Sequence, residues 1–373
     1  MSQRGETFLA DVNGTLEELH APMKLVAVPG KGFGLLATRP LAAGSVVLCE
    51  RPYAMTVSYR QRHQVCAVCL ADSRLSEEAA PQGWHLRCSR CNVCYFCSEH
   101  CAERSLVTGG DAHSAQECAA LAACAFHEAD SEGADLTMQA IQILCHRAAG
   151  RAHAPFESAR CEVSYKSYTE RLHGIPRDSQ SAARLKRSVA TALRALPDEA
   201  RVPPSELLDL LDRHQANVFG VLGPGAEEMG LASFVGLLHL FNHSCAPNLL
   251  FDCRNRAVSG ASPLFAVVTL RAVAAGEELV HCYAGSADPR NTRQAWLRTH
   301  HGFECDCPRC SPETDMMDEM ELTERLEEMR CRLPGCSTGL SYPFLTRAGN
   351  ASLRCVQCGG EWNHEELSDS DYD

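Results

Sequence analysis

Twenty-two cysteines in a chain of 373 residues, most of them in short-spaced clusters, restrict what this sequence can fold into more than any other feature. Residues 1–20 lack a continuous apolar stretch and carry acidic side chains, which fits neither a secretory signal nor a transit peptide. The protein is therefore expected in the cytoplasm, the nucleus or both, where thiols stay reduced and a disulfide framework is disfavoured. Metal ligation is the better explanation, and the spacings decide it. No apolar run approaches bilayer length, so no membrane association is expected. A net charge of −12 disfavours direct binding to nucleic acid and suits a basic peptide, although the same acidity also serves solubility.

The ligand candidates of the first cluster read Cys66-x2-Cys69, Cys88-x2-Cys91, Cys97-x3-Cys101, then His113 and Cys118. Zinc takes four soft or borderline ligands in a tetrahedron, and a CxxC turn offers two thiolates to one ion. Seven cysteines and one histidine make two such sites. A further set, Cys331-x4-Cys336 and Cys355-x2-Cys358, has the spacing of a zinc ribbon, with free thiols as the alternative because x4 is looser than x2.

Around these clusters, glycine and proline turns separate three strand-like runs at 24–28, 34–38 and 46–49. Leucines and alanines at helical spacing predict helices over 119–151, 182–196 and 206–219, the last opened by Pro203-Pro204-Ser205. Strand signals return at 248–253, 264–270 and 278–283. A helix over 292–299 leads to the cysteines of 305–310, a charged helix covers 316–330, and the tail from 367 is acidic. The expected division is 23–60, 66–118, 119–233, 234–284, 290–312 and 316–373, an α+β protein whose β-rich core is split by a metal module and a helical insert.

Asn242-His243-Ser244-Cys245-Ala246-Pro247-Asn248 is a dense polar string directly after the apolar run 234–241. At the end of a buried segment such groups can hydrogen-bond a polar ligand sunk into the fold, although a satisfied core histidine is the commoner case. Three other motifs accompany it: Gly30-Lys31-Gly32-Phe33-Gly34, Gly276-Glu277-Glu278-Leu279 with Tyr283 four residues on, and Phe303-Glu304-Cys305-Asp306-Cys307-Pro308-Arg309-Cys310.

In this order the motifs resemble the SET-domain methyltransferases, and the stretch CSRCNVCYFCSEHC within residues 66–118 resembles the MYND finger. Together they mark the chain as similar to the SET and MYND family of lysine methyltransferases over about residues 24–310. The resemblance implies a β-rich SET fold split by a MYND finger and a helical insert, a zinc-bound post-SET segment, and a small C-terminal cysteine-rich segment. It implies cross-braced zinc sites in the finger, one held by Cys66, Cys69, Cys97 and Cys101 and the other by Cys88, Cys91, His113 and Cys118. Here four residues separate His113 from Cys118 where the family usually has three, which leaves His100 as a substitute ligand, and Cys94 is an additional thiol inside the finger. A third zinc would join Cys245 to Cys305, Cys307 and Cys310.

The implied cofactor is S-adenosylmethionine, with Lys31, Gly32, Phe33 and Gly34 near its methionine end. Asn242 and His243 would contact its amino-acid and adenosine portions, Phe303 would stack on the adenine, and Asn217 and His301 would also bind the cofactor. Phe33 departs from a basic residue and His301 from a tyrosine that family members often carry. The implied activity is methylation of a lysine on a histone or non-histone protein, with Tyr283 as the catalytic residue orienting a neutral amine. A monomer is expected, with protein docking through the finger. The rival reading is a non-catalytic adaptor that keeps the SET fold as scaffold. The seven remaining cysteines, at 49, 94, 124, 145, 161, 253 and 282, read as small hydrophobes.

Overall fold

The computed structural model of the chain describes residues 3–76, 82–105, 113–150, 178–223, 227–234, 236–254, 260–285, 288–311, 316–336, 339–346 and 351–363. The chain opens with α1 (Gln3–Glu18), β1 (Met23–Val28), β2 (Gly32–Ala37), β3 (Val46–Glu50) and β4 (Ala54–Val57). The cysteine module carries β5 (Leu86–Arg87), β6 (Tyr95–Phe96) and α2 (Glu99–Ser105). Among the described residues, the helices α3 (Ala115–Ala122), α4 (Ser131–Ala148), α5 (Ser179–Ala195) and α6 (Pro204–Asn217) follow. Then come β7 (Phe219–Leu222), β8 (Glu228–Ser233), β9 (Asn242–His243), β10 (Leu249–Cys253), β11 (Phe265–Thr269) and β12 (Val280–His281). Helices α7 (Arg290–His301) and α8 (Met316–Glu328) precede a terminal sheet of β13 (Ser341–Leu345), β14 (Ala351–Cys355) and β15 (Glu361–Trp362).

The sheet in the order β10-β11-β3 is the divider of the molecule, because side chains alternate across a strand and both of its faces are covered. Leu249, Cys253, Phe265 and Val267 face a core shared with β1, β2 and the segment 237–241. Leu250, Ala266 and Val268 face the other way, onto Leu326 of α8 and Tyr342 of β13. The C-terminal segment thus packs on the back of this sheet. There Asp252, buried, accepts from the Tyr342 hydroxyl at 2.8 Å and Arg354 Nε at 3.2 Å.

The helical block centres on α4, buried at every position from Ser131 to His146 except Glu132. Its polar residues bind the neighbouring strands: Asp135 accepts from Ser58 Oγ and the Tyr59 amide, Gln139 donates to Leu231 O, and His146 meets Tyr53 O. Burial lifts the Asp135 carboxyl to about 6.

Several element boundaries differ from the sequence reading. The helix expected over 119–151 is two helices, because Ser114 and Glu117 form a capping box at the start of α3 and the Asp130 side chain caps a new helix at Gly133. The helix expected over 206–219 stops at Asn217. Phe219 starts an edge strand, and the sheet in the order β4-β8-β7 occupies the end of what was read as a helical insert. The strand expected over 278–283 shrinks to Val280–His281, because the Asn248 amide replaces a neighbouring strand: Val280 N donates to its Oδ1 at 2.8 Å, and its Nδ2 donates to Glu278 O at 2.8 Å. The sequence reading assigned no element to α1 or to the terminal sheet, where the buried residues, Val12 and Leu16 in the helix and Tyr342, Leu353 and Trp362 in the sheet, find partners in the folded core. Cys161 and the acidic tail lie outside the described residues.

Candidate metal centres and active site

The sulfur and nitrogen atoms of four residue groups converge, each group within 4.8 Å of itself: Cys66, Cys69, Cys97, Cys101; Cys88, Cys91, His113, Cys118; Cys245, Cys305, Cys307, Cys310; and Cys331, Cys336, Cys355, Cys358. Zinc–sulfur bonds of about 2.3 Å arranged tetrahedrally put neighbouring sulfurs about 3.8 Å apart, against about 2.05 Å in a disulfide. The separations are of the first kind: 3.5 Å for Cys69–Cys97, 3.8 Å for Cys69–Cys101, 3.5 Å for Cys88–Cys118, 4.0 Å for Cys245–Cys305, 3.7 Å for Cys331–Cys358 and 3.8 Å for Cys336–Cys355. The donor sets therefore suit zinc. His113, not His100, stands in the second group; the His100 ring packs against Gly260, whose amide donates to Cys101 Sγ at 3.1 Å.

The third group ties the polar string to the segment after Tyr283. Cys245 follows β9, which pairs in parallel with β12, so His243 and His281 are register partners. His243 Nδ1 accepts from the Tyr283 amide at 2.9 Å while its Nε2 lies 3.2 Å from Cys245 Sγ. One imidazole thus links the tyrosine's backbone to the metal group. Gln294 of α7 fixes Cys305 by a reciprocal pair, accepting from its amide at 2.9 Å and donating to its carbonyl at 2.6 Å. Arg309, buried, donates to Cys245 O at 2.7 Å and to Thr323 Oγ1 of α8 at 2.9 Å.

Tyr283 donates its hydroxyl to Phe241 O at 2.6 Å, and its ring lies 4.6 Å from His281, 5.1 Å from His243 and 4.8 Å from His301. Burial, with Glu278 adding, raises its pKa above the ordinary phenol value, so the hydroxyl stays protonated at neutral pH. Phe303 stands 5.8 Å from His243 and 6.3 Å from His301. Asn242 donates to both Phe33 O and Glu278 Oε1 at 2.8 Å, and Lys31 Nζ lies 3.2 Å from Glu278 Oε2. Gly34 makes this contact possible, since a Cβ there would come within 2.7 Å of Glu278 Oε1 and 2.9 Å of Asn242 Nδ2. Gly32, at φ 81°, closes the turn before it. The Phe33 ring turns to Phe8 of α1 at 5.0 Å. Asn217 ends α6 with its amide on Arg213 O at 2.9 Å, and Phe219, two residues on, stacks on His281 at 5.5 Å.

Sequence reasoning passed over several residues that build this region. Glu278 was noticed only as part of its motif and Asn248 only as the end of the polar string. Glu50 carries no local signal: buried, it accepts from the amides of Gly236, Leu237 and Leu238 at 2.7, 2.8 and 2.9 Å and orients the segment that delivers Asn242, with burial lifting its carboxyl to about 7. His281 is buried among Phe219, Phe251 and Tyr283.

A family model described as SET domain matches residues 32–284, from the glycine turn to the residue after Tyr283. The chain belongs to the SET domain family. Among curated proteins, the chain is similar to "Histone-lysine N-methyltransferase SMYD3" of Mus musculus, with 25% identity over 301 residues, covering 79% of this chain and 63% of that protein. It is likewise similar to "N-lysine methyltransferase SMYD2-B" of Danio rerio, with 25% identity over 310 residues, covering 81% of this chain and 63% of that one. The chain spans just under two thirds of the length of each. A solved structure of the SET domain of LSMT bound to lysine and AdoHcy aligns at 15% identity and a TM-score of 0.34, covering 83% of this chain and 63% of that one, a superposition too loose to inform the fold.

Proposed function

We propose that this chain is an S-adenosylmethionine-dependent protein-lysine N-methyltransferase. The observation that carries the reading is the linkage of Tyr283, through its own amide and His243, to the Cys245 metal group, inside a SET domain. The similarity to two proteins named as lysine methyltransferases supports it. When bound, S-adenosylmethionine supplies a sulfonium methyl group for in-line transfer.

The chain's residues then have the task of alignment. Asn242, His243, Lys31 and the turn Gly32–Phe33–Gly34 would hold the cofactor's polar end, with Asn217 beside it and the Phe303 ring, flanked by His301, against its base. Glu278 holds Asn242 and Lys31 in register with that turn. Tyr283 already spends its proton on Phe241 O, so its oxygen lone pairs are left to accept from an amine N–H. It orients the nitrogen; a phenol kept protonated by its raised pKa offers no phenolate to take the proton. Loss of hydration in the site would disfavour the ammonium form of an arriving lysine.

The four ligand groups each fit one zinc. In this reading residues 66–118 form a MYND finger that docks protein partners, 290–312 a post-SET segment, and 316–373 a zinc ribbon with an acidic tail. The protein acts as a monomer in the cytoplasm and nucleus on a lysine-bearing protein. Purified protein incubated with radiolabelled S-adenosylmethionine and a peptide and protein array should transfer label to lysine. Cofactor binding with no labelled lysine anywhere would leave the adaptor reading in its place.

A further inference from the structure

Cys94 belongs to none of the four ligand groups, yet it is buried and its sulfur lies 3.4 Å from His113 Nδ1. The other ring nitrogen, Nε2, lies 3.5 Å from Cys91 Sγ. A zinc bound by one sulfur at about 2.3 Å and one imidazole nitrogen at about 2.05 Å would put those two atoms about 3.5 Å apart. The ring therefore presents Nε2 to the metal and turns Nδ1 to Cys94.

His113 reaches this position at a cost. Its φ is 60°, a left-handed conformation unusual for a side chain with a β-carbon, and four residues separate it from Cys118. A histidine held at a strained backbone position needs its ring fixed from the far side, and ligating imidazoles are commonly fixed through the nitrogen that does not bind metal. Cys94 is brought there by the turn that forms the site: Cys88 N donates to Cys94 O at 2.9 Å, and Val93 N donates to Cys91 Sγ at 3.4 Å.

We propose that Cys94 is a positioning residue of the second zinc centre, accepting a hydrogen bond from His113 Nδ1–H and so selecting Nε2 as the metal-binding nitrogen. The inference rests on the zinc reading above. It assigns the additional thiol of the finger a function distinct from ligation.

The test uses the full zinc-loaded chain and separates hydrogen bonding from packing. Cys94→Val keeps an apolar group of similar size but removes the acceptor, whereas Cys94→Ser keeps an acceptor. With a chromogenic chelator in excess, one zinc equivalent should leave Cys94→Val about tenfold faster than wild type, the low end of the usual effect of such partners. Cys94→Ser should stay within about twofold. In protein carrying 15N-labelled imidazole, the His113 resonances should report protonated Nδ1 and metal-bound Nε2. Release from Cys94→Val at the wild-type rate would reduce Cys94 to packing, and a metal-bound Nδ1 would overturn the assignment outright. The wild-type zinc count tests the zinc reading itself, since fewer than four equivalents with this group empty would remove it and the role of Cys94 with it. His113→Ala tests the ligand: zinc release from that variant at the wild-type rate would show that His113 does not ligate and would overturn the role given to Cys94.

Discussion

The Cys245 group and the Cys331 group offer the same chemistry, four thiols about one point, but enclose different things. Cys245 and Cys305 are 60 residues apart in sequence, Cys331 and Cys358 only 27. Closure entropy grows as (3/2)RT ln n, so the longer loop costs only about 0.7 kcal/mol more. What distinguishes the two is their contents. The first loop contains β10, β11, β12, Tyr283 and α7. The second contains, among the described residues, β13 and β14, two strands of the three-stranded terminal sheet. One group is a clasp across the candidate active site; the other is a local staple that meets the core through side chains such as Tyr342 and Arg354.

The comparison breaks most visibly at Cys245. Cys245→Ser should release one zinc, leave the two groups of the 66–118 module occupied, and weaken S-adenosylmethionine at least about tenfold, because metal binding here is folding energy for the pocket. Metal analysis and calorimetry read both, and normal cofactor affinity without that zinc would end the idea of a clasp. Tyr283→Phe comes next. It keeps the ring and the His243 link through the backbone, so folding and cofactor binding should hold while turnover falls at least about tenfold, the loss typical of one positioned polar group. Unchanged turnover on a verified substrate would make Tyr283 a core tyrosine.

Cys336→Ser sharpens the contrast from the other side. It should lose the C-terminal zinc and lower the melting temperature, yet change cofactor affinity less than about twofold, since that group shares no residue with the site. A cofactor defect as large as that of Cys245→Ser would erase the distinction. The smallest effect is expected at Tyr342→Phe, which removes the hydroxyl on Asp252 where the C-terminal sheet meets β10. A loss of about 1.5–3 kcal/mol in denaturant unfolding, with all zinc retained, is the expected outcome for a hydrogen bond to a charged group.

Much of this protein was legible in its sequence because its chemistry is concentrated in residues that announce themselves. Thiol spacing marked 66–118, 305–310 and 331–358 as metal-binding stretches, whereas the division of the 66–118 ligands into two sets and the place of Cys245 in the third came from the family resemblance. The motifs around Asn242, Glu278 and Tyr283 marked the place of the site. Strand and helix periodicity located most elements, because burying one face leaves a pattern of period two or 3.6.

Tertiary structure alone decided the rest, and in each case the deciding contact joins residues far apart in the chain. Glu50 meets the amides of 236–238 across more than 180 residues, and nothing near Glu50 in sequence marks it as buried. Asn248 shortens the strand at 280–281 by substituting its amide for backbone. The choice of His113 over His100 depended on which ring the fold turned inward and on the thiol of Cys94 behind it. The burial of both faces of the β10-β11-β3 sheet required the C-terminal segment to arrive from 90 residues on, the separation of Asp252 and Tyr342. Local pattern specifies which surfaces must be covered; only the folded chain specifies what covers them, because burial is a property of the partner as much as of the residue.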